Sequence, residues 1–244
     1  EMLRSLVGSE MCIRDRNICV IPARGGSKRI PRKNIKLFNG KPMIAYSIYA
    51  AQKSGVFDHI FVTTDDVEIA NIAKNYGAQV PFMRPKNLSD DYTQTGPVII
   101  HAINEIEKII GEVDNVCCIY AVAPFIQAKD LKDGLERLIE KKCSFVFTVT
   151  TFPYPIQRAL KIVEEDRVEM FNSDFFDRRS QDLEEAYHDA GQFYWGKSKA
   201  FLDNVLTFSK ESSPLILPRY RVQDIDTEDD WREAEIKSIT INKD

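Results

Sequence analysis

The chain has 244 residues, 43% of them hydrophobic and 29% charged, with a formal net charge of −4. A chain this long buries a full core without disulfide or metal staples, and the composition excludes disordered and fibrous classes. The acidic balance argues against nucleic acid as a partner, and no apolar run reaches the roughly 18 residues that a membrane span needs.

Residues 1–16 (EMLRSLVGSEMCIRDR) fit neither a secretory signal nor a transit peptide. They resemble translated linker sequence and are read as a non-native leader; a genuine short helical extension is the alternative. Residues 17–239 are read as one domain, and 240–244 as a tail. The five cysteines (Cys12, Cys19, Cys117, Cys118 and Cys143) are odd in number and form no CxxC. Free thiols in a reducing cytoplasm are expected.

Residues 17–22 (NICVIP) form a short apolar run ending in proline, which signals a buried strand. A basic, glycine-containing loop follows over 23–34. Helical apolar spacing marks 43–54, and 59–64 reads as the second strand. Asp66 is a good N-cap for an amphipathic helix over 67–76. A third short strand is expected at 79–82. Over 95–110 the residues Val98, Ile99, Ala102, Ile103, Ile106 and Ile110 share one helical face. The run 115–121 is apolar on both faces, as in a central parallel strand. A helix at 129–142 and a strand at 144–151 continue the alternation. Residues 152–190 break it, and 161–163 with 167–170 read as a hairpin inserted into the core. A strand returns at 191–195, where Phe193 and Trp195 are expected in the core, and a short apolar run lies at 215–217. Thr227 and Asp230 have capping-box spacing for a last helix with Trp231, Ala234 and Ile236 as its apolar stripe. His59 and His101 sit in strand and helix patterns and are expected to be structural. The rhythm predicts an α/β fold with a mostly parallel, doubly wound sheet.

Charge is segregated along the chain. From residue 17 to 57 there is no Asp or Glu, while Arg24, Lys28, Arg29, Arg32, Lys33, Lys36, Lys41 and Lys53 all fall there. Ligands of open α/β sheets bind beyond the carboxyl ends of strands, where this loop begins. Gly25 and Gly26 permit positive φ and close backbone approach, so Ala23, Arg24, Gly25, Gly26, Ser27 and Lys28 are expected to form an anion-binding nest. A solvated basic loop is the bland alternative. Neither GxxxxGK[ST] nor GxGxxG is present, which speaks against P-loop ATPases and dinucleotide dehydrogenases. Acid collects at the other end. Asp224 and Asp226 flank Ile225, so on an extended backbone both carboxylates point one way. Such a pair suits Mg²⁺, which shares its shell with phosphates. Glu228, Asp229 and Asp230 are read instead as favouring a helix N-terminus. Together the two charged segments suggest metal-assisted chemistry on a nucleoside triphosphate.

The string Ile21-Pro22-Ala23-Arg24-Gly25-Gly26-Ser27-Lys28-Arg29-Ile30-Pro31-Arg32-Lys33-Asn34 resembles the opening motif of the CMP-sugar-acid synthetases. That family includes the sialic acid, legionaminic acid and KDO cytidylyltransferases. Val62-Thr63-Thr64-Asp65, Arg84-Pro85, Ser89-Asp90 and Asp224-Ile225-Asp226-Thr227 agree in order. The strings from Tyr187 to Gly196 (YHDAGQFYWG) and from Tyr120 to Phe125 (YAVAPF) look like the pseudaminic acid branch. Tyr120, Ala123 and Ala190 depart from the sialic acid patterns.

The resemblance implies a Rossmann-like nucleotidyltransferase fold in which the inserted segment 152–190 makes a homodimer. It implies a reaction of CTP with a nine-carbon 2-keto acid sugar, giving the CMP-sugar and diphosphate, with Mg²⁺ as cofactor. Arg24, Ser27 and Lys28 would bind the triphosphate, and Lys33 would lie near the α-phosphate. Asn34, Arg84 and Ser89 resemble positions lining the cytidine pocket, and Asp224 with Asp226 would hold the metal. For the sugar, the candidates are Arg178 or Arg179 for the carboxylate, then Tyr187, His188, Asp189 and Gln192. Three alternatives stay open: the same chemistry on legionaminic or sialic acid, a metal-dependent glycosyltransferase, and a non-catalytic nucleotide-binding protein.

Overall fold

The computed structural model describes residues 15–241. The leader reading therefore falls largely outside the described residues, as do Cys12 and the end of the tail. Of the leader, Arg16 lies against the fold: its backbone N–H donates to the Asp114 carboxylate at 2.7 Å and its side chain to the Glu112 carbonyl at 2.9 Å.

The chain runs β1 (Asn17–Pro22), β2 (Leu37–Phe38), β3 (Lys41–Pro42), α1 (Met43–Ser54), β4 (His59–Thr63), α2 (Val67–Asn75), α3 (Thr95–Ile110) and β5 (Asn115–Ile119). It continues through α4 (Ala128–Lys141), β6 (Phe145–Thr151), β7 (Leu160–Val163), β8 (Arg167–Met170), β9 (Tyr187–Lys197), α5 (Ser198–Leu202), β10 (Ser212–Ile216) and α6 (Glu228–Ile241). The six-stranded sheet has the order β10-β6-β9-β5-β1-β4. β1 pairs parallel with β4 and β5, and β10 parallel with β6, while β9 runs antiparallel between β5 and β6. The expected doubly wound, mostly parallel sheet is present, with one reversed strand set into it.

Alternation along β1 explains the two-sided packing. Cys19 and Ile21 face one core with Ile44 and Ile48 of α1, Ile69 of α2 and Leu131, Leu135 and Leu138 of α4. Ile18 and Val20 face the other with Ile99, Ile103 and Ile106 of α3. A strand buried on both faces must be apolar at every position, which is why the run reads as continuous rather than alternating. Phe193 and Trp195 are fully buried, as expected. Asp66 caps α2 by accepting from the Ile69 N–H at 3.0 Å. Thr227 and Asp230 form the reciprocal cap of α6, with Thr227 N–H donating at 2.7 Å and Asp230 N–H at 3.2 Å.

Three expectations change. Residues 79–82 form no strand: Gln79 makes one isolated bridge to Phe61, because Pro81 two residues on has no N–H for a ladder. Ile236 is 66% exposed and lies off the α6 stripe that Trp231 and Ala234 define. Gly25 and Gly26 are not among the glycines with positive φ. Gly25 is instead required for close approach, since a Cβ there would meet Asp66 Oδ2 at 2.7 Å. The inserted hairpin forms as β7 and β8, paired from Leu160↔Met170 to Val163↔Arg167. Among the described residues no helix is long and apolar enough to cross a membrane.

One buried ion pair anchors the C-terminal segment. Arg221 is bidentate to Asp130 at 2.7 and 3.2 Å, and both side chains are 9% exposed. The Arg221 carbonyl accepts from Gln192 Nε2 at 2.7 Å. Asp130→Asn leaves the guanidinium buried beside a neutral amide. The expected loss is about 3–5 kcal/mol in urea or thermal unfolding, the cost of breaking a buried pair from one side. A loss below about 1 kcal/mol would contradict it.

Candidate active site

The basic loop leaves β1 and descends into a small third core. Ile30 is fully buried there with Phe38, Met43, Phe125, Ile225, Trp231 and Ala234. Ile30 comes from the basic loop and Ile225 from between the two aspartates, so this packing sets the two charged segments opposite each other. Lys33 Nζ donates to the Ile225 carbonyl at 2.6 Å and lies 3.3 Å from Asp226 Oδ1. Arg29 reaches the same oxygen at 2.8 Å. Lys36 pairs with Glu228 at 2.7 Å and sits 4.5 Å over the Trp231 ring.

A cleft of about 840 Å³ opens between these segments and the carboxyl ends of β1 and β5. Of the residues singled out from sequence, Arg24, Ser27, Lys28, Lys33, Asn34, Arg84, His188, Asp189, Asp224 and Asp226 line it. Ala23, Gly25, Gly26, Ser89, Tyr187 and Gln192 do not. The Gly25 N–H donates to Asp65 Oδ1 at 2.9 Å and the Ala23 N–H to the Thr63 carbonyl at 3.0 Å, so these amides serve the loop rather than a ligand. Ser89 donates to the Pro85 carbonyl at 3.0 Å. Tyr187 donates to Glu185 at 2.6 Å, and Gln192 is buried on Arg221. Arg178 and Arg179 are exposed on the inserted arm, with Arg179 held by Asp182 at 2.7 Å.

Asp91 was not legible from the sequence as a site residue. Arg24 Nη1 donates to its Oδ1 at 2.6 Å and to the Asp90 carbonyl at 2.8 Å, while Lys28 pairs with its Oδ2. Lys28 first and Arg24 next hold the Asp91 carboxyl below its ordinary pKa. Thus the cations expected to grip a triphosphate rest on a carboxylate that an anion can replace. Arg32, counted in the basic stretch, turns away to Asp66 and Glu68. Asn34 donates to the Arg24 carbonyl at 2.8 Å and fixes the loop from within. Arg84 is 94% buried by its 6% exposure; its N–H and one Nη bond to the Thr64 and Thr63 carbonyls, and its Nε has no partner. Burial lowers its pKa. Tyr120, which the family resemblance had singled out, also lines the cleft, as do Thr93, Thr95 and Gln223, for which a position-specific signal was absent because Thr and Gln occur on any surface.

The residues present fit a divalent ion. Partial desolvation at the cleft wall and the negative charge of Asp226 raise the Asp224 carboxyl above its ordinary pKa, a repulsion that a bound cation would relieve. Among the described residues no group of three or more His, Cys, Asp or Glu is gathered for a metal. A carboxylate pair alone suits Mg²⁺, which keeps several waters and takes substrate phosphates into its shell.

A family model described as cytidylyltransferase matches residues 18–213. The chain is 50% identical over 221 residues to the pseudaminic acid cytidylyltransferase of Campylobacter jejuni subsp. jejuni serotype O:23/36, covering 91% of this chain and 95% of that protein. It is 30% identical over 235 residues to the CMP-N,N'-diacetyllegionaminic acid synthase of Legionella pneumophila, covering 93% and 98%. A solved CMP:2-keto-3-deoxy-manno-octonic acid synthetase complexed with CTP superposes with a TM-score of 0.66 at 15% identity, covering 94% of this chain and all of that one. That likeness concerns the fold, and it agrees with the nucleotidyltransferase architecture expected from the sequence.

Asp224→Asn is expected to stabilise the protein without nucleotide or metal. A carboxyl whose folded pKa is raised weakens the fold once ionised, so the gain is full at neutral pH and vanishes below the ordinary carboxylate pKa of about 4. Because Asp224 is exposed to the cleft, solvent screening holds the gain to roughly 0.5 kcal/mol. Thermal melts of both proteins from pH 3 to 7 read it; a gain that persists unchanged at pH 3 would contradict the electrostatic origin.

Proposed function

The chain belongs to the cytidylyltransferase family, and on that premise we propose that it transfers CMP from CTP to pseudaminic acid, releasing diphosphate. The observation that carries the substrate is the 50% identity that extends over 95% of a pseudaminic acid cytidylyltransferase. Membership of this enzyme family sets aside the glycosyltransferase and non-catalytic alternatives.

The site's geometry supports the chemistry. Arg24 and Lys28 exchange Asp91 for the β- and γ-phosphates, and Ser27 adds a hydroxyl beside them. Lys33, held between the Ile225 carbonyl and Asp226, carries its charge toward the α-phosphate. Arg84 and Asn34 flank the nucleoside. The anomeric hydroxyl of the sugar attacks the α-phosphorus and gives up its proton to water as the bond to the bridging oxygen breaks, and diphosphate departs in line. Catalysis here is positioning plus charge neutralisation, since the transferring group is highly charged and the protein forms no covalent bond to it. Asp224 and Asp226 would hold Mg²⁺, whose charge would offset that of the phosphate oxygens.

The inserted arm supports a homodimer. Ile162, Phe171 and Phe176 are 78%, 69% and 69% exposed on it, apolar surface that a partner would remove from water. A second copy of the chain would cover it, and Arg178 or Arg179 would then be brought toward the sugar carboxylate, which a guanidinium binds bidentately.

With CTP, Mg²⁺ and pseudaminic acid the purified protein is expected to release diphosphate and form the CMP-sugar. Failure with pseudaminic acid, or a higher kcat/KM for legionaminic or sialic acid, would overturn the substrate. Arg24→Ala and Lys33→Ala are each expected to lower kcat/KM about a hundred- to a thousandfold, the scale of one lost charge-stabilising donor. Losses under tenfold would remove them from the site.

A further inference from the structure

The sugar end of the cleft contains a carboxylate that the charge balance alone does not explain. Asp189 lines the cleft near the start of β9. Among the described residues it has no ion pair, although the opposite wall is crowded with cations. Its position is nevertheless built. The ladder between β6 and β9 slips there, so that Phe147 faces Tyr194 and Val149, two residues on, faces Asp189. Gly191 takes φ +61° inside the slip, a conformation that a side chain rarely adopts. Strand bulges re-aim side chains, and this one lets two residues five apart meet. The Tyr194 hydroxyl donates to Asp189 Oδ2, and the Gly191 N–H donates to Oδ1 at 2.9 Å. The Tyr194 ring lies 5.6 Å from that of Tyr120, which also lines the cleft.

Two donors fix the carboxylate and leave acceptor capacity on both oxygens, since an ionised carboxylate accepts about four hydrogen bonds. Sheet order says which substrate meets it. Arg84 is bonded to the Thr64 carbonyl at the end of β4, the sheet edge, and the basic loop follows β1 beside it. Asp189 lies on β9, two strands beyond β1 and so roughly 10 Å along the row at the usual strand spacing. The nucleotide takes the β4–β1 side, and the β9 side is left for the second substrate. That substrate is an acid, and Asp189 repels its carboxylate. Only a neutral donor, a hydroxyl or an amide N–H, can meet Asp189 favourably.

We propose that Asp189 is a specificity-determining acceptor for a hydroxyl or amide N–H of the sugar, and that Tyr194 is the positioning residue that aims it. The inference rests on the cytidylyl-transfer reading and deepens it: it states what kind of group on the acid sugar meets the β9 side of the cleft and which side chains read it. A site built to accept from a substrate N–H or O–H discriminates strongly against analogues without the donor, because its own polar group is then left unpaired.

The test is steady-state kinetics of Asp189→Asn, Tyr194→Phe and the double variant, with CTP binding measured separately by calorimetry and folding by thermal melts. Asp189→Asn is expected to raise KM for pseudaminic acid about 10- to 100-fold and to leave the Kd for CTP within twofold. Tyr194→Phe is expected to raise the same KM about 3- to 10-fold, and to add nothing in the Asp189→Asn background, because it acts through that carboxylate. A sugar KM within twofold of the original in Asp189→Asn, a parallel rise in Kd for CTP, or additive effects of the two substitutions would each overturn the inference while the reaction itself stood. Absence of turnover by the unaltered enzyme would overturn the reading beneath it.

Discussion

Seven side chains in a small core beside the sheet hold the proposed site together. Ile30 arrives from the arginine- and lysine-rich loop, Ile225 from between two aspartates nearly two hundred positions later, and both pack on Phe38, Phe125 and Trp231. Burying each isoleucine contributes about 1.5–3 kcal/mol. That is enough to hold two oppositely charged segments face to face where their flexible side chains alone would not fix a register. The Lys33 bond to the Ile225 carbonyl and the Lys36 contacts with Glu228 and Trp231 add polar alignment to the same joint. The helix α6 has few other apolar contacts, so its role is largely to close this joint.

Because the joint places charge before any ligand arrives, the site carries its own counter-ions. Asp91 occupies Arg24 and Lys28, and Asp226 occupies Arg29 and Lys33. These pairs are partly exposed and individually worth little, so on the proposed reading an incoming triphosphate with several charges would displace them at small cost. The same pairing keeps a dense cationic loop from repelling itself in the absence of nucleotide. Asp224 is the exception. Its carboxyl is raised by partial desolvation and by Asp226, so a bound cation would relieve it.

Much of this was legible in the sequence, for reasons that differ by element. β1 and β5 are buried on both faces, so their continuous apolar runs admit no other reading. The α3 stripe and the Thr227–Asp230 cap follow from spacing alone. Arg24, Lys28, Lys33, Asp224 and Asp226 were visible because charge is segregated along the chain to an unusual degree. What was hidden depends on contacts between distant segments. Asp91 reads as an ordinary loop aspartate until Arg24 and Lys28 are found upon it. Gln192 lies in a motif-rich string yet supports the Arg221 carbonyl instead of the cleft. Gly25 looked like a left-handed turn and is instead a point of contact with Asp66. The bulge that joins Tyr194 to Asp189 leaves no trace in periodicity, since three extra residues in a strand are indistinguishable from a longer strand.

The most direct measurement is titration calorimetry of CTP, CMP and cytidine against the intact protein at millimolar Mg²⁺ and two salt concentrations. If the loop after β1 and the carboxylate pair grip the phosphate chain together, CTP binds at least tenfold more tightly than CMP, and the gap narrows as salt rises. Equal affinities for all three compounds, or a gap indifferent to salt, would contradict it.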